Sequence, residues 1–95
     1  TEEEIEGFAI VKTILRQKIN SKRVTHRDAQ SYFAIMLDDN NRKTICRLYL
    51  NGNKKFFAAF NNQKKEVKYE ITSIDDIFNF SDLLIRTVEG YDKQS

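Results

Sequence analysis

Three groups of residues in this chain are of types that do chemistry. Asp38 or Asp39, followed downstream by Glu66-Val67-Lys68, imitates the D…ExK set of metal-dependent nucleases, in which carboxylates hold Mg²⁺ and a lysine assists the attacking water. The context argues against it: the aspartates fall in a turn and the triplet in an alternating charged strand, so a turn beside a solvated face is the simpler reading. Asp38-Asp39-Asn40-Asn41 supplies oxygen ligands but lacks the central glycine and terminal glutamate of a calcium loop. The chain has one histidine, His26, and one cysteine, Cys46. Neither has companions for a metal site or a nucleophile-base set, and Cys46 is expected to be a core thiol. Gly7, Gly52 and Gly90 form no phosphate-binding loop. The expectation is a stretch with no catalytic residue, no metal and no cofactor, and hence no enzyme activity of its own.

The third group is Tyr32, Arg47, Tyr49 and Phe56, with Phe60, Lys68 and Tyr69 nearby. Aromatic side chains on a sheet surface stack unpaired bases, and neighbouring cations meet phosphates. On that reading Arg27, Arg47, Lys55 and Lys68 contact phosphates, while Tyr32, Tyr49 and Phe56 supply stacking or wedge contacts. The same composition also suits a protein interface or plain cross-strand pairing such as Tyr32 with Tyr49. Nothing in the set reads bases specifically.

A sheet must position these side chains, and residues 24–50 announce it. Two apolar runs flank a four-residue turn signal, Asp39-Asn40-Asn41-Arg42, and so read as one antiparallel hairpin. Pairing Asp38 with Lys43 puts Phe33, Ile35 and Leu37 on one face with Leu48, Cys46 and Thr44. The opposite face then carries Tyr32, Ala34 and Met36 beside Tyr49, Arg47 and Ile45. Asn51-Gly52-Asn53 predicts a two-residue hairpin turn with glycine at positive φ, which sends Phe57 and Ala59 to the core and Phe56, Ala58 and Phe60 to the other side. Asn61-Asn62-Gln63-Lys64 makes a third turn, and residues 66–71 alternate as a half-buried strand whose facing depends on that turn's length.

Helices close both ends. Residues 1 to about 19 predict a helix with Thr1 as N-cap and Glu4 completing a capping box. Ile5, Phe8, Ala9, Val11, Leu15 and Ile19 form its expected core face, leaving Ile10 and Ile14 one turn apart on the other side, where a partner would cover them. Ser73, with Asp76 three residues on, caps the last helix. Its stripe is Ile74, Ile77, Phe80, Leu84, Val88 and Tyr91, with Phe78 and Ile85 widening it; Gly90 weakens or stops it, and residues 92–95 are expected as a frayed tail. The predicted fold is α+β, ordered α-β-β-β-β-α, with a four-stranded antiparallel meander and both terminal helices on one face.

The chain's 95 residues suffice for one domain. Charged residues are 32% and hydrophobic ones 40%, which argues against disorder of the whole chain. No apolar run is long enough to span a bilayer and no signal peptide opens the chain, so no membrane partner is expected. A single cysteine permits no intrachain disulfide, in keeping with a reducing cytoplasm. The start at Thr1 without an initiator methionine suggests a piece cut from a longer protein. The net charge of +2 hides a segregation: residues 12–68 hold 14 lysines and arginines against four acids, while the flanks hold two cations against ten acids. A polyanion could bind the middle, and the acidic helices could equally neutralise it from within.

The run RDAQSYFAIMLDDNNRKTICRLYLNGNKKF, preceded by EEEIEGFAIVKTILR and followed by SIDDI, resembles the C-terminal domain of bacterial proteins of the type I restriction enzyme R-subunit-like, or predicted type IV restriction endonuclease, kind. Its most specific parts are residues 27–33 and 37–48. The resemblance implies a non-catalytic accessory domain, residues 1–95, following a nuclease domain in the same chain, and DNA engagement or assembly as its task. The alternative is a protein-interaction or homodimerisation module without nucleic-acid contact.

Overall fold

In the computed structural model, which describes residues 1–61 and 63–93, helix α1 (Glu2–Leu15) opens the chain. The capping box forms: the Thr1 hydroxyl accepts from the Glu4 amide at 3.2 Å and the Thr1 amino group donates to Glu4 Oε1 at 3.0 Å, satisfying donors that a helix start leaves open. The face turned to the sheet differs from the expected one. Gly7, Val11, Ile14 and Leu15 are buried, whereas Ile5 is 67% exposed and Ala9 faces solvent. Gly7 is the reason. A Cβ there would stand 2.6 Å from Leu48 Cδ1, so the helix rests on the sheet along a line through a residue with no side chain. That rotation takes Ile14 into the core and half-buries Ile10 against it, so the two do not form the exposed patch expected for a partner.

Five strands follow where four were expected: β1 (Val24–Asp28), β2 (Phe33–Leu37), β3 (Thr44–Tyr49), β4 (Lys55–Phe60) and β5 (Glu66–Ile71), in one antiparallel sheet of order β1-β2-β3-β4-β5. The α+β class, the antiparallel meander and the terminal helices are as the sequence predicts. The added strand arises because the first apolar run folds back at Ala29-Gln30-Ser31, where the Ala29 N–H donates to the Tyr32 carbonyl at 2.9 Å. Val24 then pairs with Leu37 and His26 with Ile35.

Phe33 faces Leu48 and Ile35 faces Cys46, as the apolar alternation requires, but a bulge next to Ile35 pairs Met36 with Thr44. One extra residue on β3 turns Thr44 to the open face and leaves Ile45 fully buried in the core, reversing the expected placement of both. Asp38 and Asp39, at φ 57° and 53°, take the left-handed conformation of a type I′ turn, closed by the Asn40 N–H on the Leu37 carbonyl at 3.1 Å. Residues 50–54 connect β3 to β4, and Gly52 does not use positive φ. The register, Leu48 with Phe57 and Tyr49 with Phe56, is still the one a Gly52-Asn53 turn would set, so the faces come out as expected. Phe57 opposite Tyr69 and Ala59 opposite Val67 decide β5: Val67, Tyr69 and Ile71 point to the helix side, and Glu66, Lys68 and Glu70 to the other. Asn62, in the predicted third turn, and Gln94 and Ser95, in the predicted tail, lie outside the described residues.

The last helix begins as a 3₁₀ helix (Ile74–Phe80) and becomes α2 (Ser81–Lys93), which runs through Gly90. The apolar spacing dictates the change: Ile74, Ile77 and Phe80 recur every three residues, the 3₁₀ repeat, and Leu84 and Val88 every four. Asp76 anchors the start, its carboxylate accepting from the Thr72 and Ser73 amides at 2.8 and 3.2 Å. The core lies between this helical layer and one sheet face, with Phe57 stacked on Phe80 at 4.4 Å. Among the described residues no helix is long and apolar enough to cross a membrane.

Candidate functional site

The sheet face away from the helices carries a large group of rings and cations that the fold brings together. A cross-strand row spans all five strands, Arg27-Ala34-Arg47-Ala58-Lys68, with cations and alanines alternating. Ala34 and Ala58 are 7% and 0% exposed although no helix covers them. Their small side chains make troughs, and the long side chains on either side lie over them.

Arg47 is held on several sides. Its NH1 donates to Glu66 Oε2 at 3.2 Å, and its guanidinium carbon sits 4.5 Å from the Tyr32 ring centre and 5.1 Å from that of Phe60. Lys68 Nζ lies 4.0 Å over Tyr49 and 5.8 Å from Phe56. The Tyr49 hydroxyl donates to the same Glu66 oxygen at 2.5 Å, and Tyr32 and Tyr49 pack at 5.6 Å. Each ring-cation pair contributes about 0.5–1 kcal/mol at such exposure. Burial raises the Tyr49 hydroxyl pKa, and its bond to Glu66 adds to the rise, so Tyr49 remains a donor at neutral pH. Burial opposes the Arg47 charge, but Tyr49, Tyr32 and Glu66 outweigh it and the guanidinium pKa moves up. Arg47 Nε is buried without an acceptor.

The other predicted contact residues divide. Arg27 shares the row at its β1 end, half exposed, donating to Asn41 and, at 3.3 Å, to Asp39 of the β2–β3 turn. Between Arg27 and Arg47 lies a concavity of about 250 Å³, walled by Tyr32, Met36 and Thr44. Lys55 does not belong to this face. It shares the side of Phe57 and pairs with Glu3 of α1, where an acidic flank neutralises the basic middle, as Asp92 does for Arg23 at 2.9 Å.

The nuclease-like residues do not converge. Asp38 accepts two bonds from Arg23, both at 2.8 Å, while Glu66 is engaged by Arg47 and Tyr49 across the sheet. Among the described residues no three His, Cys, Asp or Glu side chains could hold a metal. His26 sits on the helix side between Phe33 and Phe8, at ring distances of 5.0 and 4.7 Å. Cys46 is fully buried and its thiol pKa is pushed up by that burial, so it is a poor nucleophile. The residue that sequence reasoning undervalued is Glu66. Read as one carboxylate of a metal set, it is the anion that ties the cation-ring group together. Its facing follows from the pairing of Phe60 with Glu66, which no local pattern announces. Comparisons with family models, curated proteins and solved structures returned no match for the chain.

Proposed function

We propose that the chain is a non-catalytic accessory domain of a restriction-endonuclease-like protein and that it binds or positions DNA through the open sheet face. One observation carries the reading: Arg47 and Lys68 interleave with Tyr32, Tyr49, Phe56 and Phe60 on a surface that no helix covers. Lys68 and Arg27 reach phosphates. Arg47, tied to Glu66, orients the rings, and the ring edges meet exposed bases or the minor groove. The resemblance of residues 27–33 and 37–48 to restriction-type proteins supplies the context: a nuclease domain in the same chain, a bacterial cytoplasm and a DNA partner. The test is a fluorescence-polarisation titration with labelled single- and double-stranded oligonucleotides at stepped salt. Binding whose log K falls linearly with log salt is expected, and no binding at low salt sinks the proposal.

A second reading, a homodimer, draws on the free edge of β5. Val67 and Tyr69 point to the helix side yet stay 37% and 39% exposed, and among the described residues β5 has no outer neighbour. Antiparallel pairing of two β5 strands about Val67 sets Glu66 opposite Lys68 twice, an attractive arrangement. Sedimentation across a concentration series tests it, and a strict monomer throughout ends it.

A further inference from the structure

A second recess lies at the end of the sheet, between α2 and the connection from β4 to β5. It measures about 360 Å³, within the range of small-ligand sites, and its walls include Phe60, Leu83 and Tyr91 on the apolar side and Lys64 and Arg86 on the charged side. Among the described residues neither cation has an ion-pair partner. Arg86 spends only its Nε, on the Asp82 carbonyl at 3.4 Å.

Two residues in this wall run against local preference. Gly90 sits inside α2 without positive φ, and among the described residues a Cβ there would meet nothing within 4 Å. Neither backbone geometry nor close packing demands glycine, and glycine weakens a helix relative to alanine. What its missing side chain does is keep the recess open. Lys64 holds φ 61°, a conformation that favours glycine or asparagine, yet the position carries a long cation. A glycine where alanine would be more stable and a lysine where glycine would be more stable meet at one cavity. Departures of this kind collect at sites under functional demand.

We infer that the recess binds a phosphate monoester carrying a flat, ring-containing body, with the phosphate between Lys64 and Arg86 and the ring against Phe60, Leu83 and Tyr91. Two cations with free donors suit a phosphate's oxygens. An apolar wall beside them favours a nucleoside over a bare anion. A free mononucleotide and the 5′-phosphorylated end of a nucleic-acid strand present this same chemistry. The site shares Phe60 with the open face, but its cations, Lys64 and Arg86, take no part in the sheet-face reading, so it stands if Arg27, Arg47 and Lys68 bind nothing.

The test is a heteronuclear NMR titration of the whole chain with adenosine 5′-monophosphate, followed at the amides of Asn61, Thr87 and Gly90. Adenosine alone and inorganic phosphate serve as half-ligands, and a 5′-phosphorylated trinucleotide as the strand-end arm. Saturable shifts with the monophosphate or the trinucleotide are expected, with each half-ligand weaker by about tenfold or more. The tighter of the two full ligands identifies the source. Gly90→Leu fills the recess and is expected to abolish these shifts while raising the melting temperature, a combination that simple damage to the fold does not produce. Arg86→Gln is expected to weaken binding by roughly three- to tenfold. Unmoved amides at millimolar ligand, or full binding by a folded Gly90→Leu variant, overturn the inference.

Discussion

Arg47 on β3 reaches across β4 to donate to Glu66 on β5 at 3.2 Å, passing over Ala58, whose side chain is too small to obstruct it. A larger residue at 58 would separate the two strands' side chains and leave Tyr49 without its acceptor. The alanine thus permits a network spanning three strands, and that network sets how much positive charge the open face presents.

Replacing Glu66 with Gln removes the anion and keeps the shape. It is expected to cost about 1–2 kcal/mol of stability, because Arg47 and Tyr49 lose a charged acceptor in a partly buried place. DNA affinity at low salt is expected to rise and its salt slope to steepen, since Arg47 is then free for phosphate. Lys68→Ala is expected to do the reverse, lowering affinity and reducing the slope by about one. Salt-stepped titrations of both variants check the pair, and identical slopes would remove the face from the binding account.

Gly7→Ala sets helix propensity against space. Alanine would favour the helix by up to about 1 kcal/mol, but its Cβ would meet Leu48 Cδ1 at 2.6 Å. A net loss of about 1–3 kcal/mol is expected as α1 is pushed off the sheet. Urea denaturation measures it, and an unchanged midpoint would show that Leu48 gives way without cost.

The two faces of α1 give a paired prediction. Ile14→Ala is expected to cost about 2–4 kcal/mol, the range for emptying a closed core position, because Ile14 is 3% exposed. Ile5→Ala, at a residue 67% exposed, is expected to change stability by no more than about 0.5 kcal/mol. Equal costs at the two positions would mean that the helix is rotated relative to the orientation described.

Stability is expected to hold from neutral pH to about pH 5 and to decline below about pH 4, near the unfolded carboxylate range. Asp38, hydrogen-bonded to Arg23, and Asp76, bonded to the Thr72 and Ser73 amides, both have lowered pKa values. A carboxylate whose folded pKa lies below its unfolded one stabilises above the unfolded value, and that contribution is lost as pH falls through the folded one. Asp38→Asn is expected to lower the melting temperature slightly at pH 7 and flatten the acid limb. The effect is modest, because the Asp38 side chain is 37% exposed. Melts at stepped pH test it, and an unchanged acid limb in the variant would exclude Asp38 as a contributor.

What the sequence determined by itself is the part that rests on short-range periodicity and turn chemistry. The Thr1–Glu4 cap, the β2–β3 register at Phe33–Leu48 and Ile35–Cys46, the facing of Phe56 and Phe57, and the apolar stripe through Ile74, Ile77, Phe80, Leu84, Val88 and Tyr91 each follow from local pattern, although Phe78, expected to widen that stripe, is 48% exposed. So does the open face carrying Tyr32, Arg47 and Tyr49, because alternation sends every second side chain to the same side. The Asp28–Ser31 reversal was also local, but its small and polar residues resemble ordinary strand-edge residues and so hid a fifth strand.

Tertiary structure alone decided the rest, wherever the deciding partner is distant in sequence. The rotation of α1 follows from Gly7 meeting Leu48, and glycine adds nothing to an apolar stripe. The bulge that buries Ile45 follows from fitting β3 to both of its neighbours. Lys55 faces Glu3 because Phe57, two residues on, must lie under the helices. Glu66 became the anchor of the cation-ring group only when β5 paired with β4, since the energy of that contact exists only once three strands have been laid side by side.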